Sequence, residues 1–188
     1  MTAPARLVVG ISGASGVAYG LEVLRSLRRI GVESHLVMSR AAEETLAHET
    51  DLVPDDVRAM ADCWYAPDDI GAGPSSGSFR TLGMIVAPCS VRTMSEIASG
   101  VTSSLLSRAA DVTLKERRRL VLMVRETPLH GGHLRTMLQL SEMGALIAPP
   151  VPAFYARPAS LDAMVAHTVG RMLDLFGLDA GTVRRWGE

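Results

Sequence analysis

Arg108 and Lys115 lie seven residues apart in the segment SRAADVTLKE, a spacing that puts both cations on one face of a helix, two turns apart. The apolar run RLVLMV follows and ends on Arg125 and Glu126. A phosphate held away from bulk water needs several fixed cations, each charge-assisted hydrogen bond contributing about 1.5–3 kcal/mol. Cations delivered to one place by a helix and a strand end therefore read as a phosphate site, and two phosphates would account for their number. The run KERRR, Lys115 to Arg119, also admits the plainer reading of a solvated helix end.

A second group lies in GISGASGVAYG, Gly10 to Gly20. Backbone amides and the dipole of a following helix favour an anion there, by about 0.3–1 kcal/mol and up to ~2 when partly buried. The glycines would let a ligand approach the backbone, with Ser12 and Ser15 adding hydroxyl donors; tight packing is the competing explanation. The spacing is not G-x-G-x-x-G, and no G-K-[ST] follows. The second apolar run ends in Ser39 and Arg40, not in the acid that would grip an adenosine ribose. A mononucleotide such as FMN fits this pattern better than a dinucleotide. The segment APCSVRTMS ends another run, where Ser90 or Thr93 can cap the next helix. Cys89 has no histidine near it in sequence and reads as structural.

The elements that must position these groups are legible as alternation. RLVVGIS, ESHLVM, GMIVAP, RLVLMV and ALIAPP are short apolar runs suited to strands buried on both faces. Between them are helical stripes, Val17, Leu21, Leu24 and Leu27 in one, and Leu161, Met164, Val165, Val169, Met172, Leu173 and Phe176 in another. This pattern predicts an α/β fold, an open parallel sheet with helices on both faces and right-handed crossovers. Ligands of such sheets sit beyond the strands' carboxyl ends, where strand order reverses. Residues 67–78, PDDIGAGPSSGS, read as a long surface loop. Residues 1–188 read as one domain, with the tail 177–188, which carries Trp186, docking on the domain or on a neighbouring subunit.

Nineteen basic and twenty acidic residues give a net charge of −1, which argues against nucleic acid as the main partner. The chain shows no apolar run of transmembrane length and no signal-peptide pattern. Its two cysteines, 26 residues apart, and scattered histidines show no metal-ligand spacing. A soluble, cytoplasmic protein without a metal is the expectation.

The blocks GASG, ETD (Glu49 to Asp51), PSSGS, PCS, RAADVTLKE, RETPL, PAFY and RRWGE occur in this order from about residue 6 to the end. In these blocks the chain resembles the UbiX-type flavin prenyltransferases, earlier described as phenylacrylic acid or 3-octaprenyl-4-hydroxybenzoate decarboxylases. The resemblance implies a flavodoxin-like (Rossmann-type) fold, a homododecamer with sites at subunit contacts, and no metal. It implies transfer of a dimethylallyl group from dimethylallyl phosphate to N5 and C6 of reduced FMN, giving prenylated FMN for a UbiD-type decarboxylase. By the same resemblance Gly13, Ala14 and Ser15 would line the flavin, and Ser39, Ser90, Thr93 and Arg108 would hold its phosphate and ring. Lys115, Arg125, Tyr155 and Arg171 would grip the prenyl phosphate with Glu126 beside it. Glu49 would handle protons near N5, its pKa tuned toward neutrality, and Trp186 would cover the prenyl group. The chain departs from many members in GGHLRTM, where Arg135 and Thr136 replace a Glu-Asn pair, and in Val124, where proline is common. The alternatives are a peptidyl-cysteine or phosphopantothenoylcysteine-type flavoprotein decarboxylase and a non-catalytic FMN-binding subunit. The first relies on a histidine and a PASANT-like loop that are not matched here; intact Glu49, Lys115 and Arg125 argue against the second.

Overall fold

A computed structural model describes residues 5–187. The strands are β1 (Arg6–Ile11), β2 (Glu33–Met38), β3 (Cys63–Tyr65), β4 (Gly83–Cys89), β5 (Arg119–Val124) and β6 (Leu146–Ile147). They form one sheet in the order β3-β2-β1-β4-β5-β6, and every neighbouring pair is parallel. The chain builds outward from β1 through β2 and β3, then crosses to β4 and continues outward on the other side. The order thus reverses between β1 and β4, where a crevice opens at the carboxyl ends.

The helices are α1 (Val17–Ile30), α2 (Arg40–Glu49), α3 (Pro54–Met60), α4 (Val91–Ser99), α5 (Leu105–Lys115), α6 (Gly131–Glu142) and α7 (Leu161–Asp174). Each central strand is apolar on both sides because each side meets a helix layer; all seven residues of β4 are buried. On one face Leu21, Leu24 and Leu27 of α1 and Val165, Val169 and Leu173 of α7 pack against Leu7, Val9 and Ile85. On the other, Met94 and Ile97 of α4 and Leu105, Leu106 and Ala109 of α5 pack against Val8, Met84 and Leu122.

The five expected strands are present, and a sixth, CWY, adds an edge. Three residues are too few to show a period; β3 exists because its backbone pairs with His35, Leu36 and Val37. The segment 67–78 is held more firmly than a free surface loop. Ala72 and Pro74 are buried, and the Arg118 guanidinium donates to the carbonyls of Gly77 and Phe79, at 2.6 Å each.

Candidate active site

Three helices begin at the crevice, and a serine caps each one. The hydroxyl of Ser39 accepts from the Ala42 amide (3.1 Å), that of Ser90 from Thr93 (3.2 Å) and that of Ser104 from Ser107 (3.4 Å), opening α2, α4 and α5. Between these starts lies a cleft of about 400 Å³ lined by Gly13, Ser39, Ser90, Thr93, Ser104 and Leu106. Three positive helix ends on one cleft make an anion site from backbone alone. Exposed Arg40 and Arg92 stand at its rim, Arg40 3.8 Å from Asp68 and Arg92 3.0 Å from Glu96. Glu96 also accepts from the Ser103 hydroxyl at 3.1 Å, which ties α4 to the segment before α5.

Two expectations about the first turn are corrected. Ser12 is buried and contributes no donor to a ligand: its hydroxyl donates to the Pro88 carbonyl (2.9 Å) and accepts from the Ser90 amide (2.7 Å). It is a strut between the tips of β1 and β4. The glycines serve packing first, although Gly13 also lines the cleft. A Cβ at Gly13 would lie 2.4 Å from that of Ala41, one at Gly20 would lie 2.5 Å from the Ala87 carbonyl oxygen, and Gly16 has φ +103°.

Nor is the amide nest at the start of α1 open to a phosphate. Both oxygens of Glu49, at the end of α2, accept from the Gly16 amide at 2.9 Å, and one also accepts from Val17 at 2.9 Å. The Ser15 hydroxyl donates to the same carboxylate. Partial burial alone would push the Glu49 carboxyl up. The Ser15, Val17 and Gly16 hydrogen bonds and the charge of Arg125 outweigh it and hold the carboxyl below the ordinary glutamate value. Tuning toward neutrality is therefore not what this geometry does: Glu49 is ionised at neutral pH.

Arg125 and Glu126 follow β5 directly, and the Arg125 amide donates to the Cys89 carbonyl at 3.0 Å. The charge of Arg125 is felt by both Glu49 and Tyr19, so Arg125 stands within electrostatic reach of the Ser15–Glu49 pair. Burial drives the Cys89 thiol up to about 12, so it is no thiolate nucleophile at neutral pH. Arg108, on the first turn of α5, donates to Asp111 at 2.7 Å.

Other expected residues are not brought to this cleft. Lys115 ends α5, whose eleven residues span about 16 Å, and pairs with Glu116 near Gly77. It stands toward the strands' amino ends, so the one-face spacing of Arg108 and Lys115 does not bring both to one pocket. Tyr155 and Trp186 meet edge to face with centroids 5.3 Å apart, and Arg171 pairs with Asp174 at 2.5 Å. These three gather along α7, whose packing face is opposite that of α4 and α5.

Arg40, Arg92, Ser104 and Asp174 carry no site role in the sequence reading. Ser104, with another serine three residues on at the head of a helix, carried a readable capping signal. Glu33, His35 and Cys63 also offer ligand atoms within 4.8 Å of one another, though both ring nitrogens of His35 are engaged, by Tyr65 and Glu33, at 2.8 Å each. That set lies on β2 and β3, away from the cleft.

The family model described as Flavoprotein matches residues 1–173. A flavin prenyltransferase UbiX of Thauera aromatica is 54% identical over 181 residues, covering 96% of this chain and 93% of its own. The solved structure of AnUbiX in complex with FMN and dimethylallyl pyrophosphate is 53% identical, with TM-score 0.97 and 99% of each chain covered. A dodecameric FMN-dependent UbiX-like decarboxylase from Escherichia coli O157:H7 is 49% identical, with TM-score 0.94, covering 97% of this chain and 100% of its own. With a flavodoxin-like sheet, an anion cleft at its switch point and these likenesses, the chain belongs to the flavoprotein family and, within it, to the UbiX flavin prenyltransferases.

Proposed function

We propose that the cleft binds FMN with its phosphate toward the capped ends of α2, α4 and α5 and its reactive ring edge toward Ser15, Glu49 and Arg125. The carrying observation is the division of labour in the geometry. The α1 nest is filled by Glu49, which leaves the Ser39, Ser90 and Ser104 helix ends as the anion site. The donor set fits a phosphate ester, and the cleft has the size expected of a small-molecule site.

The reaction joins the dimethylallyl group of dimethylallyl phosphate to N5 and C6 of reduced FMN. Reduced FMN supplies the nucleophilic nitrogen and carbon. Ser39, Ser90, Thr93 and Arg108 bind the phosphate end, while Gly13 and Ala14 back the ring. Glu49, ionised and held by Ser15, accepts the proton released beside N5. A carboxylate held this low is a weak base, and displacement of water by bound flavin raises its basicity. Arg125, with Glu126 beside it, offers its charge to the leaving phosphate at the same end.

Lys115, Tyr155, Arg171 and Trp186 lie away from the cleft of their own chain and act in the clefts of neighbouring copies in a dodecamer. This reading is supported by the dodecameric assembly of the Escherichia coli relative. Lys115 and Arg171 stabilise the departing phosphate, and the faces of Tyr155 and Trp186 shelter the allylic cation without trapping it. Prenylated FMN then passes to a UbiD-type decarboxylase in the cytoplasm. Among the described residues no helix is long and apolar enough to cross a membrane. The test is anaerobic incubation with reduced FMN and dimethylallyl phosphate, followed by mass and absorption spectra of the released flavin. A gain of one dimethylallyl unit is expected; unchanged FMN refutes the reading.

A further inference from the structure

The chain after α7 turns back along that helix and is fastened to it. The Thr182 hydroxyl donates to the Ala166 carbonyl at 2.9 Å, and the His167 Nε2 lies 3.3 Å from the Arg184 carbonyl oxygen. A Cβ at Gly170 would lie 2.5 Å from Thr182 Oγ1 and 2.7 Å from Val183 Cγ2, so glycine there is what allows the tail to lie so close. The strongest fastening is ionic. Arg185 reaches both oxygens of Asp174, at 3.0 and 3.1 Å, a bidentate geometry in which the carboxylate and the guanidinium fork match. Arg171, one turn before Asp174 on α7, reaches the same carboxylate at 2.5 Å. The Asp174 side chain is only 17% exposed, and Trp186, the next residue after Arg185, is 81% exposed with its ring against Tyr155.

One carboxylate therefore sets two things at once: where the Arg171 guanidinium stands, and where the tail presents Trp186. We propose that Asp174 is a positioning residue for the prenyl donor, latching the C-terminal tail through Arg185 so that Trp186 stands beside Tyr155, and orienting Arg171. The contact to Asp174 engages one end of a five-donor fork, so Arg171 can stay pinned while meeting a phosphate. Burial alone would raise the Asp174 carboxyl, but the hydrogen bonds from Arg185 and Arg171 hold it below the ordinary aspartate value, so the latch is charged at neutral pH. The inference rests on the reading that Tyr155, Arg171 and Trp186 serve the prenyl donor.

The test compares Asp174→Asn and Asp174→Glu in a Trp64→Phe background, where Trp186 is the remaining tryptophan of the two. In the assembled, FMN-loaded enzyme, Asp174→Asn should lower Trp186 fluorescence anisotropy and speed tryptic cleavage after Arg184 and Arg185. It should also raise the KM for dimethylallyl phosphate about tenfold or more, as loss of a charge-assisted contact implies, with FMN affinity within about twofold. Asp174→Glu, which keeps the charge, should recover part of each. An unchanged tail and KM in Asp174→Asn overturns the proposal. So does a fall in melting temperature and FMN affinity with no selective change in the donor KM, which marks a merely structural residue. Arg171→Ala separates the two layers. If it raises the donor KM and Asp174→Asn does not, the latch fails alone; if neither does, the reading of the prenyl site fails with it.

Discussion

The cleft and the α7 cluster are built by different means. In the cleft the anion-facing groups are backbone amides at helix starts, held by serine caps and by the buried Ser12 strut between β1 and β4. Along α7 the chemistry sits on side chains: two arginines on one aspartate, and a tryptophan left almost wholly in the open. Helix ends of this kind form within one chain because the fold that makes the sheet also makes them. A side-chain cluster with exposed aromatics leaves apolar surface uncovered in the single chain, and Val151 and Phe154, close to Tyr155 in sequence, are exposed as well. The two regions should therefore fail differently when altered.

The largest effect is expected at Glu49, the acid proposed to take the proton released beside N5. Glu49→Gln should load FMN yet prenylate it at least about 10²-fold more slowly in single-turnover assays, because the group that accepts the proton is gone. A parent-like rate would remove Glu49 from the chemistry. The next largest should be a crossed pair. Arg171→Ala should raise the KM for dimethylallyl phosphate about 10-fold or more and spare FMN binding. Ser90→Ala should weaken FMN binding in titrations and spare the donor KM. If each variant disturbs both ligands equally, the division between the regions is wrong.

A smaller effect is expected from Ser12→Ala. It leaves the half-buried Ser90 amide without its hydroxyl acceptor and the buried Pro88 carbonyl with only the Ser12 amide, a loss of about 1–3 kcal/mol in denaturant unfolding. Weaker FMN binding should accompany it, with the tail's protease resistance unchanged. The smallest effect is a dependence on pH. Glu49 and Asp174 both have folded carboxyls below their ordinary values of 4.5 and 3.8, so above those values the native state binds no more protons than the unfolded chain. Their contribution is present above the ordinary values and is lost as pH falls through the depressed ones. The Glu49→Gln melting deficit, on the scale of a helix cap at about 0.5–2 kcal/mol, should shrink as pH drops below about 4. A deficit constant from neutral pH to pH 3 would show that charge is not what Glu49 brings to the α1 start.

Much of the frame was legible because apolar runs and helical stripes repeat what the sheet and its two layers require. β1, β2, β4, β5 and β6 each fall in an expected run, and α7 begins and ends close to its stripe. β3 was not legible, since three residues at an edge are defined only by the strand they join. In the site, Ser90 could be anticipated as a helix cap at a strand end, whereas the matching cap at Ser39 was not read. Ser12 could not be told from Ser15, although one is a buried strut and the other faces the cleft side with Glu49.

By itself the sequence determined the parallel α/β architecture, the strand ends at which polar residues gather, and, through eight ordered motifs, the family. The architecture and the strand ends follow from local period and composition, which act over one element at a time; the family follows from resemblance in the motifs. Tertiary structure decided which groups share a place. It put the Glu49 carboxylate into the amide nest of α1, 33 residues away, and so closed an apparent phosphate turn to a phosphate. It carried Lys115 to the far end of the helix that begins at the cleft. It brought Arg171 and Arg185 onto one aspartate. Such pairings depend on where elements cross and on which donors lack partners once the core has closed, and no spacing along the chain encodes either.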